Sequence, residues 1–420
     1  MNRKIFFFGN FGSTNFGNEA TLQAILANFR ALIPEAEFAC ICTFPAIASA
    51  THSITALPFS PAGIRAWRPK NRVARLLRRM LFGIPSELYR WWDAFRTLKG
   101  GDALIVPGTG LLTDAFDISS WGPYGLFKWA LVAKLRGCKL LFVSVGAGPL
   151  DGRLGRHLAK MALRLADFRS YRDVSSLDVL RNIGFAPTHD RIYPDLAFSL
   201  PRSAVSSDRQ THRRRPVVGL GLMNLGSMYA GRAVSSAAYA SYLESLVILV
   251  AWLLDRGYDI RLLIGEVGDP VPKFRSLLAQ RLSTHGSERI MDAAHVTSVE
   301  ELLSQVGDTD LVVATRFHNV LFALLSHKPT VSISFHSKCT DLMSSMGLSE
   351  YCLRIDQLKS ADLIEKVLDM EKNSHKLKSW IAVKCEEFRR ASEEQYGLIL
   401  AESVGRRHWP RPPLGSPSRT

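Results

Sequence analysis

One stretch of the chain, residues 310–335, has the pattern of a strand, a helix and a second strand in direct succession. In residues 310–314 (DLVVA), Asp310 precedes four apolar residues, two of them β-branched valines, which is typical of a parallel strand buried on both faces. The apolar run that follows Asn319 is typical of a helix, and Lys328-Pro329 ends it. Residues 330–335 (TVSISF) form the next predicted strand. This alternation constrains the chain to an α/β fold built on parallel sheets.

Two of these strand ends carry cationic or protonatable side chains: Arg316 and His318 after the first, His336 and Lys338 after the second. Open α/β sheets place their ligands at the carboxyl ends of strands, where helix N-termini favour anions. Arginine supplies a permanently charged fork, and histidine a proton donor near neutral pH. One alternative is a capping pair, with the histidine satisfied by backbone and the arginine by a neighbouring carboxylate. Because four such groups repel one another without an anion, the cluster favours a binding site.

Glycine-rich turns follow three other predicted strands. Such turns let the backbone approach a ligand closely and expose amides at helix N-termini. The spacing of the first turn is wrong for the dinucleotide fingerprint, and a tight turn without a ligand is the alternative. Three turns on one sheet edge imply a wide crevice that holds an extended substrate. The residues concerned are Gly9, Gly12 and Gly17, then Gly108, Thr109 and Gly110, then Gly146 and Gly148.

Several motifs follow one another between about Ile5 and Leu348. The chain opens with FGNFGSTNFGNEA at 8–20, and the segment 298–348 has a strand, R-x-H and a following helix. Between them lie PGTG at 107–110, SVGAGP at 144–149, YRDVSS at 171–176 and YPDLAF at 193–198. In this order the motifs resemble those of the polysaccharide pyruvyl transferases. The opening is similar to that family's G-x-x-G-x-x-N-x-G-D-E-A, with Asn18 where the family usually has Asp, and the segment 298–348 resembles the family's carboxyl half.

The resemblance implies that phosphoenolpyruvate is the donor and that its enolpyruvyl group becomes a ketal on a sugar. A donor with a carboxylate and a phosphate needs cationic clamps, for which we expect Arg172 and Arg316, with Lys338 or His336 assisting. His318 is the expected general acid for the methylene carbon. Asp195 is the expected base for the attacking hydroxyl, unless it is a helix cap or turn residue.

The remaining substrate contacts are expected in the glycine-rich turns, together with Asn10, Asn18 and Glu19. The scheme needs no cofactor and no metal, and no histidine and carboxylate cluster with ligand spacing is visible. The acceptor is expected to be a sugar or a lipid-linked oligosaccharide for an exopolysaccharide or cell-surface polysaccharide.

Two rival functions stay open. A glycosyltransferase with a nucleotide-sugar donor would share the architecture, but it would usually place a ribose-binding carboxylate near the end of the second sheet. Glu300 and Glu301 precede their strand, which weakens this hypothesis. The other rival is a catalytically degenerate, membrane-associated binding member of the family, and the departure at Asn18 favours it.

At 420 residues the chain is long enough for two domains. We predict two Rossmann-like domains whose parallel sheets face each other across a cleft, as in GT-B glycosyltransferases. Residues 1–202 form the acceptor side, with a basic insertion at 60–100, and 203–215 a linker. Residues 216–357 form the phosphoenolpyruvate side, 358–403 are C-terminal helices that brace the first domain, and 404–420 are disordered. Within the first domain, a helix at 175–183 is predicted to be capped by Ser175.

The formal net charge of +15 is concentrated in part at residues 65–79, which contain seven Arg or Lys and no acid. Trp67 and several leucines interleave, and Trp91-Trp92 follow. This composition suits an interfacial element on an anionic membrane. It also suits a solvated basic helix whose tryptophans pack inward. Nucleic acid is not expected, since no recognised binding motif accompanies the basic stretch.

Other features predict a cytoplasmic protein, peripheral at the inner face of the membrane if it binds lipid. No apolar run approaches the ~20 residues that a membrane span needs, and the amino terminus lacks the organisation of a signal peptide. The six cysteines form no C-x-x-C pair. We expect all of them to be free, in a reducing compartment and without structural zinc.

Overall fold

The structure is a computed structural model that describes residues 3–13, 15–60, 71, 82–114, 122–188, 190–205, 215–223, 235–263, 271–281, 288–291 and 296–404. The basic stretch at 65–79, apart from Asn71, lies outside the described residues. So do most of the predicted linker and all but the first residue of the predicted disordered tail. The predicted domain boundaries therefore remain predictions.

The first sheet has seven parallel strands in the order β3-β2-β1-β4-β5-β6-β7. The strands are β1 (Lys4–Phe8), β2 (Glu37–Cys42), β3 (Thr55–Pro58), β4 (Ala103–Pro107), β5 (Lys139–Val145), β6 (Phe168–Tyr171) and β7 (Arg191–Ile192). The helices between them are α1 (Phe16–Leu32), α2 (Pro45–His52), α3 (Ile84–Thr97), α4 (Pro123–Leu135), α5 (Arg153–Leu165) and α6 (Val174–Asn182).

The second sheet has six parallel strands in the order β10-β9-β8-β11-β12-β13. The strands are β8 (Val217–Gly221), β9 (Asp259–Leu263), β10 (Ile290–Met291), β11 (Leu311–Ala314), β12 (Thr330–Ser334) and β13 (Cys352–Arg354). The helices that precede or flank them are α7 (Arg202–Val205), α8 (Ser236–Asp255), α9 (Val271–Arg281), α10 (Val299–Gly307), α11 (Phe317–Leu325) and α12 (Ser337–Ser345). Two more helices, α13 (Ser360–Lys372) and α14 (Ser374–Val404), follow.

Strand β1 shows why both faces of the first sheet are covered. Its side chains alternate in direction, so Phe6 and Phe8 enter one hydrophobic cluster while Ile5 and Phe7 enter another. All four are buried. A strand apolar on both faces requires helices on both sides of the sheet, as predicted from the alternating pattern. The prediction of two parallel-sheet α/β domains is confirmed.

The strand orders place two crevices. The strand order reverses between the neighbouring strands β1 and β4 in the first sheet, and between β8 and β11 in the second. Ligands bind outside the carboxyl ends of strands at such switch points. The first glycine-rich turn directly follows β1, and the segment with Arg316 and His318 directly follows β11. Both predicted motifs therefore lie where the topology favours a ligand.

Helix α14 crosses back to the first sheet, as the sequence suggested. The Nε2 atom of Gln395 donates to Ser144 Oγ at 3.0 Å and to Ser170 Oγ at 2.7 Å. The hydroxyls of Tyr396 and Ser199 lie 2.8 Å apart. Since Gln395 and Tyr396 are buried, these contacts hold the C-terminal helix against the first sheet.

Three expectations need correction. Helix α8 contains a span, Ala237–Asp255, that is long and apolar enough to cross a membrane, so the expectation of no such run was wrong. Half of that span is buried, and it packs in the core of the second sheet, which explains its composition. The tryptophans of the basic insertion do not all pack inward, because Trp92 on α3 is exposed. Asp173, not Ser175, caps α6, since its carboxylate accepts from Ser176 N. The expectation of free cysteines is confirmed for all six.

Candidate functional site

The first turn of α11 lies directly against the first turn of α1. His318, the second residue of α11, covers Gly17, the second residue of α1. A methyl group added at Gly17 would lie 1.8 Å from His318 Nε2, so no side chain fits there. Two helix N-termini, one from each sheet, therefore meet around this histidine. The dipoles of both helices favour an anion there.

His318 is largely surrounded by protein and by positive charge. Burial, and then the charges of Arg172, Lys338 and Arg316, lower its pKa from 6.5 to about 3. The imidazole is therefore neutral at pH 7 in this structure. This differs from the near-neutral pKa that the sequence suggested, because the sequence did not show how closely the three cations approach.

His336 is also neutral, and its tautomer follows from its contacts. It caps α12, where its Nδ1 accepts a hydrogen bond from Lys338 N at 3.2 Å. Burial and the charges of Lys338 and Arg172 lower its pKa to about 4. With Nδ1 accepting, the proton of the neutral ring lies on Nε2.

Lys338 brings a charge from the second sheet. Burial and Arg172 lower its pKa from 10.5 to about 8. In the part of the chain that the structure describes, no acceptor lies within hydrogen-bonding or ion-pair distance of its Nζ. An ammonium group in this position is available to a phosphate or a carboxylate.

The side chain of Arg172 is oriented by four neighbouring residues. Its Nε lies 3.3 Å from Asp173 Oδ2, and its Nη1 lies 3.1 Å from Asp195 Oδ2. Its guanidinium carbon lies 5.0 Å from the ring centroid of Phe317, at the start of α11. A methyl group added at Gly146 would lie 2.7 Å from its Nε. Arg172 therefore extends from the end of β6 to the second sheet in a fixed orientation.

Asp195 has both of its oxygens engaged. Oδ2 accepts from Arg172, and Oδ1 accepts from Ala197 N at 3.1 Å, capping a short 3₁₀ helix (Leu196–Ser199). The carboxylate is buried. Asp195 is therefore the helix cap that the sequence analysis kept as the alternative to a base. The same carboxylate also orients Arg172.

Sequence reasoning missed Asp173, although it follows Arg172 directly. Burial alone would raise its pKa, but Arg172 and hydrogen bonds from Ser175 and Ser176 lower it overall. The hydroxyl of Ser176 in turn accepts from Ala147 N at 2.8 Å. Asp173 therefore connects Arg172 to the turn after β5. The signal was an acidic residue before a predicted helix, which is typical of an N-cap.

Arg316 occupies the N-cap position of α11, and its Nε donates to the carbonyl of Leu222 at 3.1 Å. Leu222 directly follows β8, so the arginine spans the switch point of the second sheet. The structure thus brings Arg316, His318, Lys338 and Arg172 together, as their mutual electrostatic effects show.

The turn after β1 is held by its own polar side chains. Asn15, which sequence reasoning missed, caps α1 by accepting from Gly17 N at 3.2 Å and Asn18 N at 3.4 Å. Asn18 Nδ2 donates to the carbonyl of Asn10 at 3.1 Å, and Asn10 Oδ1 accepts from Thr43 Oγ1 at 2.6 Å. The side chains of Asn10 and Asn18 therefore shape this turn, and their role in substrate binding remains a prediction.

Glu19 forms a buried pair with His52 that sequence reasoning missed. Its Oε2 lies 2.8 Å from His52 Nε2, at the end of α2, and its Oε1 accepts from Ser13 N at 3.1 Å. The carboxylate thus connects α1, α2 and the glycine-rich turn. We infer that it supports the turn rather than contacting substrate.

The other predicted glycines mark close approaches at the same sheet edge. In the second turn, Thr109 Oγ1 is buried with no hydrogen-bond partner among the described residues, and Gly110 has a φ of 70°. An unsatisfied buried hydroxyl is costly, so Thr109 remains a candidate ligand contact. An added methyl group would lie within 3.0 Å of a neighbouring atom at Gly9, Gly108, Gly146 and Gly148.

Comparison with known proteins gives a family and a fold. The family model for polysaccharide pyruvyl transferase matches residues 15–337. The amylovoran biosynthesis protein AmsJ of Erwinia amylovora is 20% identical over 410 residues, which cover 90% of this chain and 94% of that protein.

Among solved structures, a putative UDP-N-acetylglucosamine 2-epimerase from Listeria monocytogenes has a TM-score of 0.61 at 11% identity, with 96% of each chain covered. Anabaena HepE in complex with UDP and glucose has a TM-score of 0.57 at 14% identity, with 94% of this chain and all of that chain covered (100%). At these identities the likeness shows the fold alone, and it agrees with the predicted GT-B-like architecture.

Proposed function

The chain belongs to the polysaccharide pyruvyl transferase family, and we propose that it transfers the enolpyruvyl group of phosphoenolpyruvate to a sugar as a ketal. We propose an acceptor that is a polysaccharide or its lipid-linked precursor, in the biosynthesis of an exopolysaccharide or cell-surface polysaccharide. AmsJ, a relative named for amylovoran biosynthesis, supports this assignment. The observation that carries it is the convergence of Arg172, Arg316 and Lys338 with two helix N-termini around His318.

This cationic group suits a donor with two anionic ends. The phosphate and carboxylate of phosphoenolpyruvate would offset the repulsion among the three cations. Lys338 is the best candidate for the phosphate, since no described acceptor engages its Nζ. Arg316 adds a fork from the second sheet and Arg172 one from the first, with His336 Nε2–H as a further donor. The same groups would stabilise phosphate as it leaves.

We propose that His318 becomes the general acid when the donor binds. Burial and three nearby cations hold its pKa at about 3, and a multiply charged anion beside the cations would offset their part of that effect and raise the pKa. The proton then passes to the methylene carbon, which becomes a methyl group, while a sugar hydroxyl bonds to the neighbouring carbon and returns its own proton to His318. A second hydroxyl bonds to the same carbon as the bond to phosphate breaks, and the departing phosphate takes the proton of that hydroxyl. Lys338, with its pKa of about 8, is the alternative acid.

Asp195 is better suited to positioning than to acting as the base. Arg172 and Ala197 N already engage its two oxygens, so a sugar hydroxyl would have to displace one of them. We therefore propose that Asp195, with Asp173, fixes the orientation of Arg172. The turns that contain Gly9, Thr109 and Gly146 remain the proposed acceptor-side contacts.

No cofactor or metal is assigned a role, and no nucleic acid is expected. The enzyme is proposed to work in the cytoplasm, in peripheral contact with the inner face of an anionic membrane. The family match does not favour a nucleotide-sugar glycosyltransferase. The degenerate alternative loses its main support, because Asn18 makes a hydrogen bond to the Asn10 carbonyl that a carboxylate could not donate.

The test is incubation of the purified enzyme with phosphoenolpyruvate and candidate oligosaccharides, both free and lipid-linked. We expect phosphate release only when an acceptor is present, together with a product whose mass and NMR spectrum show a pyruvate ketal. The His318→Gln variant should lower this activity about 100-fold. The matched control, His157→Gln on the exposed surface of α5, should not. Transfer from a nucleotide sugar, with no reaction of phosphoenolpyruvate, would overturn the proposal.

A further inference from the structure

We propose that the outer face of helix α3 docks on an anionic lipid surface. Ile84, Leu88, Trp92 and Phe95 follow one another at intervals of three or four residues, and so lie along one side of the helix. Their exposed fractions are 55%, 66%, 53% and 40%. Four large apolar side chains exposed on one helix form a continuous face, unlike the scattered exposed residues common on protein surfaces.

The inner side of α3 packs against the first domain and forms hydrogen bonds with it. Trp91 Nε1 donates to the hydroxyl of Tyr124 on α4 at 3.0 Å, and that hydroxyl donates to Glu87 Oε1 at 2.7 Å. The buried Lys128 Nζ lies 3.2 Å from the same carboxylate oxygen. The tryptophans thus divide, since Trp91 packs inward while Trp92 faces outward. The helix is held in place without its outer face, which remains available to a partner.

The charge around this face identifies the partner as anionic lipid. The guanidinium of Arg96 lies 5.5 Å from the Trp92 ring, and that of Arg136 lies 4.0 Å from the Phe95 ring. Leu135, beside Arg136, is also exposed. The seven basic residues at 65–79 end five residues before α3 begins, and no acid lies among them. Apolar and aromatic side chains flanked by arginine match the boundary between lipid headgroups and acyl chains.

The topology relates this face to the candidate site. Glu87, in the first turn of α3, accepts from Tyr124 in the first turn of α4, whereas Arg136, just after α4, donates to the carbonyl of Phe95 near the end of α3. Helix α3 therefore runs beside α4 in the same direction. Because α4 follows β4, the amino end of α3 lies towards the edge that carries the glycine-rich turns after β1 and β4. Docking through Ile84 and Leu88 would hold that edge close to the lipid surface. If the proposed function is correct, a lipid-linked acceptor would meet the enzyme there.

The test is sedimentation of the full chain with vesicles of phosphatidylcholine alone or mixed with phosphatidylglycerol. We expect binding to the mixed vesicles that weakens as salt rises. The double variant Leu88→Ser/Trp92→Ser should bind at least about tenfold more weakly, because it removes the two largest apolar contacts. The control Leu154→Ser/Val383→Ser changes two comparably exposed apolar residues elsewhere and should bind like the wild type.

Equal binding by the wild type and the α3 variant would overturn the proposal. So would a dimer in sedimentation velocity that the α3 variant converts to monomer, since the face would then bind a second copy. Activity on a free oligosaccharide separates this proposal from the proposed function. We expect the α3 variant to keep that activity and to lose activity on a vesicle-bound acceptor. Vesicle binding without any pyruvyl transfer would leave docking intact and reject the function.

Discussion

Replacing Gly17 with alanine tests the contact between the two helix N-termini. The added methyl group would lie 1.8 Å from His318 Nε2, whereas real contacts of this kind are essentially never shorter than 3.0 Å. The ring or its helix must therefore withdraw by more than 1 Å. Alanine fits the local backbone, and it stabilises a helix by up to about 1 kcal/mol relative to glycine. The substitution should thus disturb the site and leave the fold intact.

The expected loss follows from that displacement. A shift of about 1 Å in a catalytic group costs roughly 100-fold in rate. This corresponds to about 2.7 kcal/mol of transition-state stabilisation. The measurement is kcat/KM for phosphoenolpyruvate from phosphate release at saturating acceptor, with the melting temperature recorded in parallel. We expect kcat/KM to fall by about two orders of magnitude while the melting temperature is unchanged or higher.

Gly155→Ala is the matched control. Gly155 lies within α5, and an added methyl group would meet Pro123 at 3.5 Å, an ordinary contact. This variant should keep its activity. If Gly17→Ala also keeps wild-type kcat/KM, His318 does not act at the position that the structure gives it, and the proposed site is wrong.

Four further predictions concern single groups. Arg316→Lys should weaken phosphoenolpyruvate binding by calorimetry at least about tenfold, because lysine cannot form a bidentate fork, whereas Arg181→Lys on the surface should not. His318→Gln should lower turnover about 100-fold with donor affinity little changed, and should remove the alkaline limb of the pH profile of turnover. If donor affinity collapses while turnover survives, His318 is a binding residue and not the acid. His318 and His336 have folded pKa values of about 3 and 4, below the ordinary 6.5, so the unfolded chain binds more protons between those values. The free energy of unfolding should therefore fall as pH drops from 6.5 towards 4. The fall should be smaller in His318→Gln and His336→Gln, and smaller when phosphate is bound. If the wild type and the variants show the same dependence of unfolding free energy on pH, this reasoning is refuted. Asn18→Asp should lower the free energy of unfolding by about 1–3 kcal/mol in denaturant titration, since it removes the donor to the Asn10 carbonyl, and an unchanged value would remove Asn18 from the turn's support.

The sequence predicted the fold well where the information is local. A parallel strand buried on both faces needs a continuous apolar run, and β1, β5 and β11 each have one. The glycine-rich turns and the R-x-H segment were placed correctly at strand ends because they directly follow such runs. The apolar helix α8 shows the limit of the same signal. Composition cannot separate a membrane span from a helix packed in a core, and the structure places α8 in the core of the second sheet.

The parts of the site that could not be predicted depend on residues distant in sequence. Nothing in the chain indicates that His318 covers Gly17, or that Glu19 pairs with His52. Such pairs form because helices from different strands end at the same sheet edge, and periodicity does not encode side-chain distances. The pKa of His318 depends in the same way on its burial between the two sheets and on cations from both of them. It therefore shifted far from the value that its residue type alone suggested.

The distribution of charge explains why an anion should complete this site. Asp173 and Asp195, both from the first sheet, already pair with Arg172. Arg316 and Lys338 come from the second sheet, and among the described residues neither of these carboxylates forms an ion pair with Lys338. A ligand with two anionic groups could engage the cations of both sheets at once and draw them together over Gly17. Because the same ligand would raise the pKa of His318, binding of the donor and protonation of the acid would be coupled events.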